Sequence, residues 1–147
     1  MKELFVTELY NKYPSLFSLK DNKTEPIGVY SIECDDGWFD ILSNLCWMIA
    51  QQERNIEGNN KYLISQNREP VEYEPFRFTQ IKEKFGGLRF YINEGSKEVY
   101  DRITEAEKLS YETCEVTGNP GKLRTDIGWY LTLCDEEYEN KRDNKKY

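Results

Sequence analysis

Residues 76–93 read FRFTQIKEKFGGLRFYIN. Gly86 and Gly87 stand between two runs of alternating character, which is the pattern of a β-hairpin closed by a two-residue turn. With Gly86-Gly87 as the turn, counting outward sets Phe85 opposite Leu88, Lys84 opposite Arg89, and Glu83 opposite Phe90. Lys82 then faces Tyr91, and Ile81 faces Ile92. Side chains alternate between the faces of a strand. Ile81, Phe85, Leu88, Phe90 and Ile92 therefore share one side, with Glu83 as the only intruder. Lys82, Lys84, Arg89 and Tyr91 share the other.

The apolar side of this hairpin needs cover, and the flanking segments supply it. Downstream, Ser96 caps a helix over 97–112 in which Val99, Ile103, Ala106 and Ser110 lie on one face. Upstream, Asp35 or Asp36 supplies an N-cap for a helix over 36–53. Trp38, Ile41, Leu42, Leu45, Met48 and Ile49 make its apolar stripe. Leu4, Phe5, Leu9 and Tyr10 have helical spacing in the opening stretch, which Pro14 ends. Residues 19–27 read as a loop, 28–33 as a short strand, and the Asn- and Glu-rich 54–74 as a loop with one helical turn. The cheapest burial is helix on sheet. The expected fold is α+β: a short antiparallel sheet built on the 76–93 hairpin, packed by two or three helices. A single domain spans 1–137, and 138–147 reads as a charged, flexible tail.

Composition narrows the functions. The chain has 147 residues, of which 38% are hydrophobic and 14% aromatic, enough for a lean core. There are 20 Lys and Arg against 27 Asp and Glu, a net charge of −7. That acidity argues against general binding to a phosphate backbone, which relies on clustered cations. Histidine is absent. Ser-His-Asp and Cys-His catalysis and HExxH zinc hydrolysis are thereby excluded. Asp35 and Asp36, adjacent on one chain, make a poor magnesium cage by themselves. No long apolar run and no signal-peptide pattern is present, so no membrane partner and a cytoplasmic location are the expectations.

The four cysteines raise the question of a metal. Cys114-Glu-Val-Thr117 and Cys134-Asp-Glu-Glu137 have the spacing of paired zinc knuckles, but Thr117 and Glu137 occupy two of the four ligand positions. Two thiolates do not close a structural zinc site. Residues 113–137 therefore read as a degenerate zinc-ribbon-like module without metal, with Trp129, Leu131 and Leu133 as its apolar filling. Cys34 and Cys46 read as buried small hydrophobes. No cofactor is implied.

The basic face of the hairpin is the candidate ligand site. Like charges directly opposite on a ladder repel, so Lys84 across from Arg89 calls for an anion. Carboxylates of this acidic chain are one source. A small anionic ligand held by Lys82, Lys84 and Arg89, with Tyr91 as a stacking surface, is the other.

Three segments together, DDGWFDILSNL (35–45), QIKEKFGGLRFYI (80–92) and AEKLSYETCEVTGNPGKLR…GWYLTLCD (106–135), carry a resemblance over about two thirds of the chain. The arrangement resembles a family of small uncharacterised proteins carried by bacteriophages, prophages and other bacterial mobile elements. Many members look to have a CxxC…CxxC ribbon, from which this chain departs at Thr117 and Glu137. The resemblance implies a phage setting, and with it a non-catalytic inhibitor that neutralises a bacterial defence component, in the host cytosol. Such an inhibitor either docks on a defence protein or sequesters a nucleotide-like immune signal on the basic face. The alternative is a nucleic-acid accessory protein using the ribbon-like module, with Lys122 and Arg124 near its turn.

Overall fold

The computed structural model describes residues 1–21 and 31–144. Most of the loop expected over 19–27 and the first part of the strand expected over 28–33 lie outside them. Chain order is α1 (Glu3–Lys12), β1 (Ile32–Glu33), a 3-10 turn (Asp36–Trp38), α2 (Phe39–Ser65), β2 (Phe78–Lys84), β3 (Gly87–Ile92) and α3 (Lys97–Ser110). The short strands β4 (Lys122–Arg124) and β5 (Leu131–Leu133) and the helix α4 (Asp135–Asn144) follow. The fold is α+β. Among the described residues no helix is long and apolar enough to cross a membrane.

The hairpin forms, but it turns one residue earlier than the two glycines imply. Phe85 and Gly86 occupy the turn with φ of 54° and 85°, both positive, as a type I′ turn requires. The register becomes Lys84 opposite Gly87, Glu83 opposite Leu88, Lys82 opposite Arg89 and Ile81 opposite Phe90. Every partner moves by two positions, so the faces survive while the pairs change, except that Phe85, expected on the apolar side, leaves it for the turn and is exposed. Gly87 is instead an extended strand residue whose missing side chain makes room for the Tyr111 ring; a Cβ there would overlap it.

β1 joins β2 in parallel, Ile32 beside Ile81 and Glu33 beside Lys82, so the three-stranded sheet is mixed rather than wholly antiparallel. Its inner face meets α2 and α3 through Phe78, Ile81, Leu88 and Phe90, together with Trp38, Leu42, Ile49, Val99 and Ile103. α3 matches its sequence pattern: Ser96 Oγ accepts from Val99 N at 3.3 Å, and Val99, Ile103, Ala106 and Ser110 are buried. Ser110 Oγ in turn accepts from Leu88 N at 2.9 Å, tying helix to strand. Cys34 and Cys46 are buried, and desolvation pushes the Cys34 thiol up to about 12.

α2 runs twelve residues past the expected end at 53, through Ser65. The polar residues that read as loop are a clamp on the return segment. Glu53 Oε1 accepts from Phe76 N, Asn60 exchanges two hydrogen bonds with the Val71 backbone, and Tyr73 donates to Glu57. Asp35 and Asp36 make no side-chain cap on the 3-10 turn or on α2. Asp36 Oδ1 accepts instead from Lys2 N at the start of α1.

The C-terminal module has a small core of its own, formed by Cys114, Ile127, Leu133 and Cys134. Ile127 takes the place expected of Trp129, which is 69% exposed. Two hydrogen bonds seat the module against the 3-10 turn: Gly37 N to Glu115 O at 2.7 Å, and Trp38 Nε1 to Thr113 O at 2.9 Å. A third anchors it to the hairpin turn, with Thr132 Oγ1 donating to Gly86 O at 2.6 Å. The stretch expected as a loose tail from residue 138 is helical through Asn144. Acids in its first turn and bases in its last suit the helix dipole. The Tyr138 ring packs under Arg124, 4.3 Å from its guanidinium carbon.

Candidate binding surface

The structure places Lys82, Arg89 and Tyr91 on the outward face of the sheet, as the alternation implies, with Lys84 at its end beside the turn. The Lys84–Arg89 cross-strand pair is not formed. In the observed register Arg89 faces Lys82, a second pair of like charges, and Arg89 finds its hydrogen-bond partners within the protein. Glu33 lies beside Lys82 across the parallel ladder. Arg89 Nη2 donates to Tyr111 Oη at 3.0 Å and Nη1 to Leu88 O at 3.0 Å, with the guanidinium 5.9 Å from the Tyr111 ring centre. The hydrogen bond to Tyr111 holds the Arg89 pKa above its ordinary value. Glu107, whose carboxylate accepts from Phe90 N, adds negative charge nearby.

Arg89→Gln is therefore expected to lower the stability of the free protein by about 1 kcal/mol, the worth of one hydrogen bond and one cation–π contact. Chemical denaturation of both proteins measures it. An unchanged or raised midpoint contradicts the internal pairing.

At the turn the surface changes character. Phe85 is 64% exposed, Trp129 69%, Tyr130 47% and Leu123 41%. Phe85 and Tyr130 meet edge to face with ring centres 6.5 Å apart. Leu123 and the Tyr130–Leu131 backbone abut Gly86. Two hairpins, β2–β3 and β4–β5, thus bring their apolar ends to one place. Lys84 flanks it, with its Nζ 5.7 Å from the Phe85 ring centre. None of this group was legible as a site. Phe85 looked like a core-facing strand residue and Trp129 like module filling; the only sequence signal was the number of aromatics beside turn glycines.

Phe85 is also strained. A bulky side chain at φ 54° is an outlier that costs of order 1–3 kcal/mol and persists where the surroundings enforce it. Here the buried bond from Thr132 to the Gly86 carbonyl does so. The turn holds a large ring out in solvent at an energetic cost.

In the C-terminal module, Arg124 is engaged: it donates to Leu133 O and pairs with Asp135 at 2.8 Å. Elsewhere, a cleft of about 840 Å³ between the second half of α2 and the 70–76 segment carries Glu72, Glu74 and Glu94 on its lining, and none of the four sequence-chosen residues lines it. No family model, curated protein or solved structure matches the chain.

Proposed function

We propose that the protein is a non-catalytic inhibitor of a bacterial defence component that works by docking on a defence protein through the hairpin tip. The observation that carries this reading is Phe85, an aromatic ring displayed in solvent by a strained turn beside Leu123 and Tyr130, with the exposed Trp129 next to Tyr130 along the chain. Large aromatic residues clustered on a rigid support are the usual anchors of protein interfaces. Lys84 at the edge of the cluster fits a partner with an apolar pocket and an acidic rim. The phage setting of the family that the sequence resembles supplies the biological context.

Sequestration of a nucleotide-like signal on Lys82, Lys84, Arg89 and Tyr91 is the second form. It is less favoured because Arg89 already spends its guanidinium on Tyr111 and Leu88. The nucleic-acid reading has lost ground for the same reason, since Arg124 is held by Leu133 and Asp135.

The test is phage plating on strains that each carry one defined defence system, with the protein supplied from a plasmid. The wild type is expected to restore plating on at least one strain, and Trp129→Ala to abolish the effect without lowering the melting temperature. An interface anchor of this kind is worth about 2 kcal/mol or more, a loss of about thirtyfold in affinity. A Trp129→Ala/Tyr130→Ala protein as active as the wild type would remove the tip from the account. Phe85→Asn adds a sign test. It creates the Asn-Gly turn that type I′ geometry prefers, so it is expected to stabilise the free protein by about 1 kcal/mol while weakening inhibition.

A further inference from the structure

The cleft between the second half of α2 and the 70–76 segment measures about 840 Å³, within the range of about 300–1,000 Å³ usual for ligand sites. Its apolar surface comes from Ile56, Val71, Tyr73 and Phe76. Phe76 is buried, Ile56 and Tyr73 are half-buried, and Val71 is 55% exposed. The wall is fixed before anything binds. Asn60 Nδ2 donates to Val71 O at 2.9 Å, and its Oδ1 accepts from Val71 N at 2.7 Å. Tyr73 Oη donates to Glu57 at 3.0 Å, and Asn93 Nδ2 donates to Pro75 O at 3.1 Å. A preformed wall spares a ligand the entropy of ordering it.

Charge and backbone decide what fits there. Glu72, Glu74 and Glu94 line the cleft, and among the described residues no Lys or Arg does. These three carboxylates have no ion pair or hydrogen bond among the described residues. The groove between α2 and α3 differs, since Arg102 there pairs with Glu105. A cleft lined by one sign of charge focuses its field and draws the opposite charge. The backbone N–H and C=O groups of Glu72, Tyr73 and Glu74 are also without partners among the described residues. A basic peptide complements all three features, with amides for the backbone, apolar side chains for the floor and cations for the rim. A polyamine would leave the apolar floor and the free N–H groups unmet, and a nucleic acid would be repelled. None of these residues belongs to the hairpin tip.

We propose that the cleft is a docking groove for a short basic and apolar peptide segment of a partner protein. An apolar side chain sits among Ile56, Val71, Tyr73 and Phe76, and Lys or Arg side chains pair with Glu72, Glu74 and Glu94. The amides of the segment meet the free backbone groups of 72–74, the main-chain contacts that supply affinity in extended-peptide recognition.

Fluorescence anisotropy of the full-length protein at low salt tests this, with a labelled peptide of alternating leucine and lysine as the probe. Saturable binding at one site per chain is expected. A serine–lysine peptide of equal length and charge is expected to bind at least about tenfold more weakly, for want of an apolar anchor. This comparison uses the wild type alone and so does not depend on any variant folding. Glu72→Gln/Glu74→Gln is expected to weaken the leucine–lysine peptide about tenfold, the worth of two surface ion pairs. Glu8→Gln/Glu112→Gln removes the same charge from exposed positions outside the cleft and is expected to leave binding nearly unchanged. Trp129→Ala is expected to retain it too, so failure here and failure of docking through the tip are read separately. No saturable binding, equal affinity for the two peptides, or an equal loss in the two glutamate pairs would each overturn the proposal. So would displacement by spermine at the concentration of the peptide, or self-association that Glu72→Gln/Glu74→Gln abolishes.

Discussion

Replacing Gly37 with alanine is expected to destabilise the protein by about 4 kcal/mol, at the upper end for a single substitution. A Cβ at Gly37 would fall well inside van der Waals contact with the Cys114 and Glu115 carbonyl oxygens. Both obstacles are backbone atoms, so no side-chain rotation relieves the clash. Moving Gly37 away breaks its 2.7 Å bond to Glu115 O and pulls at Trp38, whose indole N–H holds Thr113 O. Trp38 is fully buried in the main core. The substitution therefore strikes both cores at their seam. Urea denaturation measures the loss, and a Gly37→Ala protein within about 1 kcal/mol of the wild type would mean that the seam is loose.

The second large effect belongs to Glu115. Its side chain is only 6% exposed, accepts a 3.0 Å bond from Asp35 N, and lies near the Asp35 and Glu83 carboxylates and the Met1 ammonium. Burial, with the two carboxylates adding to it and the Asp35 amide and the ammonium opposing it, pushes its pKa up to about 7. The folded protein thus holds a proton here that an unfolded chain releases near pH 4.5. A raised folded pKa stabilises fully below the unfolded value, and that contribution is lost as pH rises through the folded one. Between about pH 4.5 and 7 the loss amounts to about 3 kcal/mol. Glu115→Gln keeps an oxygen for Asp35 N and carries no charge. It is expected to match the wild type near pH 5 and exceed it by about 3 kcal/mol at pH 8. Denaturation midpoints of both proteins at the two pH values isolate this group from the other carboxylates. A Glu115→Gln protein that is less stable than the wild type at pH 8 would contradict it.

What could be read from the sequence was whatever two independent local signals agreed upon. α3 was legible because the Ser96 cap and the Val99, Ile103, Ala106, Ser110 period mark the same helix. The two faces of the hairpin were legible because shifting every partner by two residues preserves parity. The turn itself was not. Two adjacent glycines offer two positions for it, and the choice rests on Tyr111, 24 residues downstream of Gly87, whose ring needs the space beside that residue. The far half of α2 was hidden by composition: Glu53, Glu57 and Asn60 look like loop residues until the segment they clamp is in place.

The candidate site divides in the same way. Lys82, Lys84, Arg89 and Tyr91 were found as a set because strand alternation groups them, but their relation to Tyr111, Glu33 and Glu107 is tertiary. The tip needed both hairpins at once. Nothing local marks Trp129 as exposed; the filling of a small core by Ile127 leaves it outside.

Site-specific photo-crosslinking tests docking through the tip most directly. A photoreactive phenylalanine analogue placed singly at Phe85, Trp129 or Tyr91 would be activated in cells whose defence the protein suppresses. The account predicts one adduct with the same defence protein from positions 85 and 129, and none from Tyr91 on the sheet face. An adduct from Tyr91 with none from Phe85 or Trp129 would contradict it and move the working surface to the basic face of the hairpin.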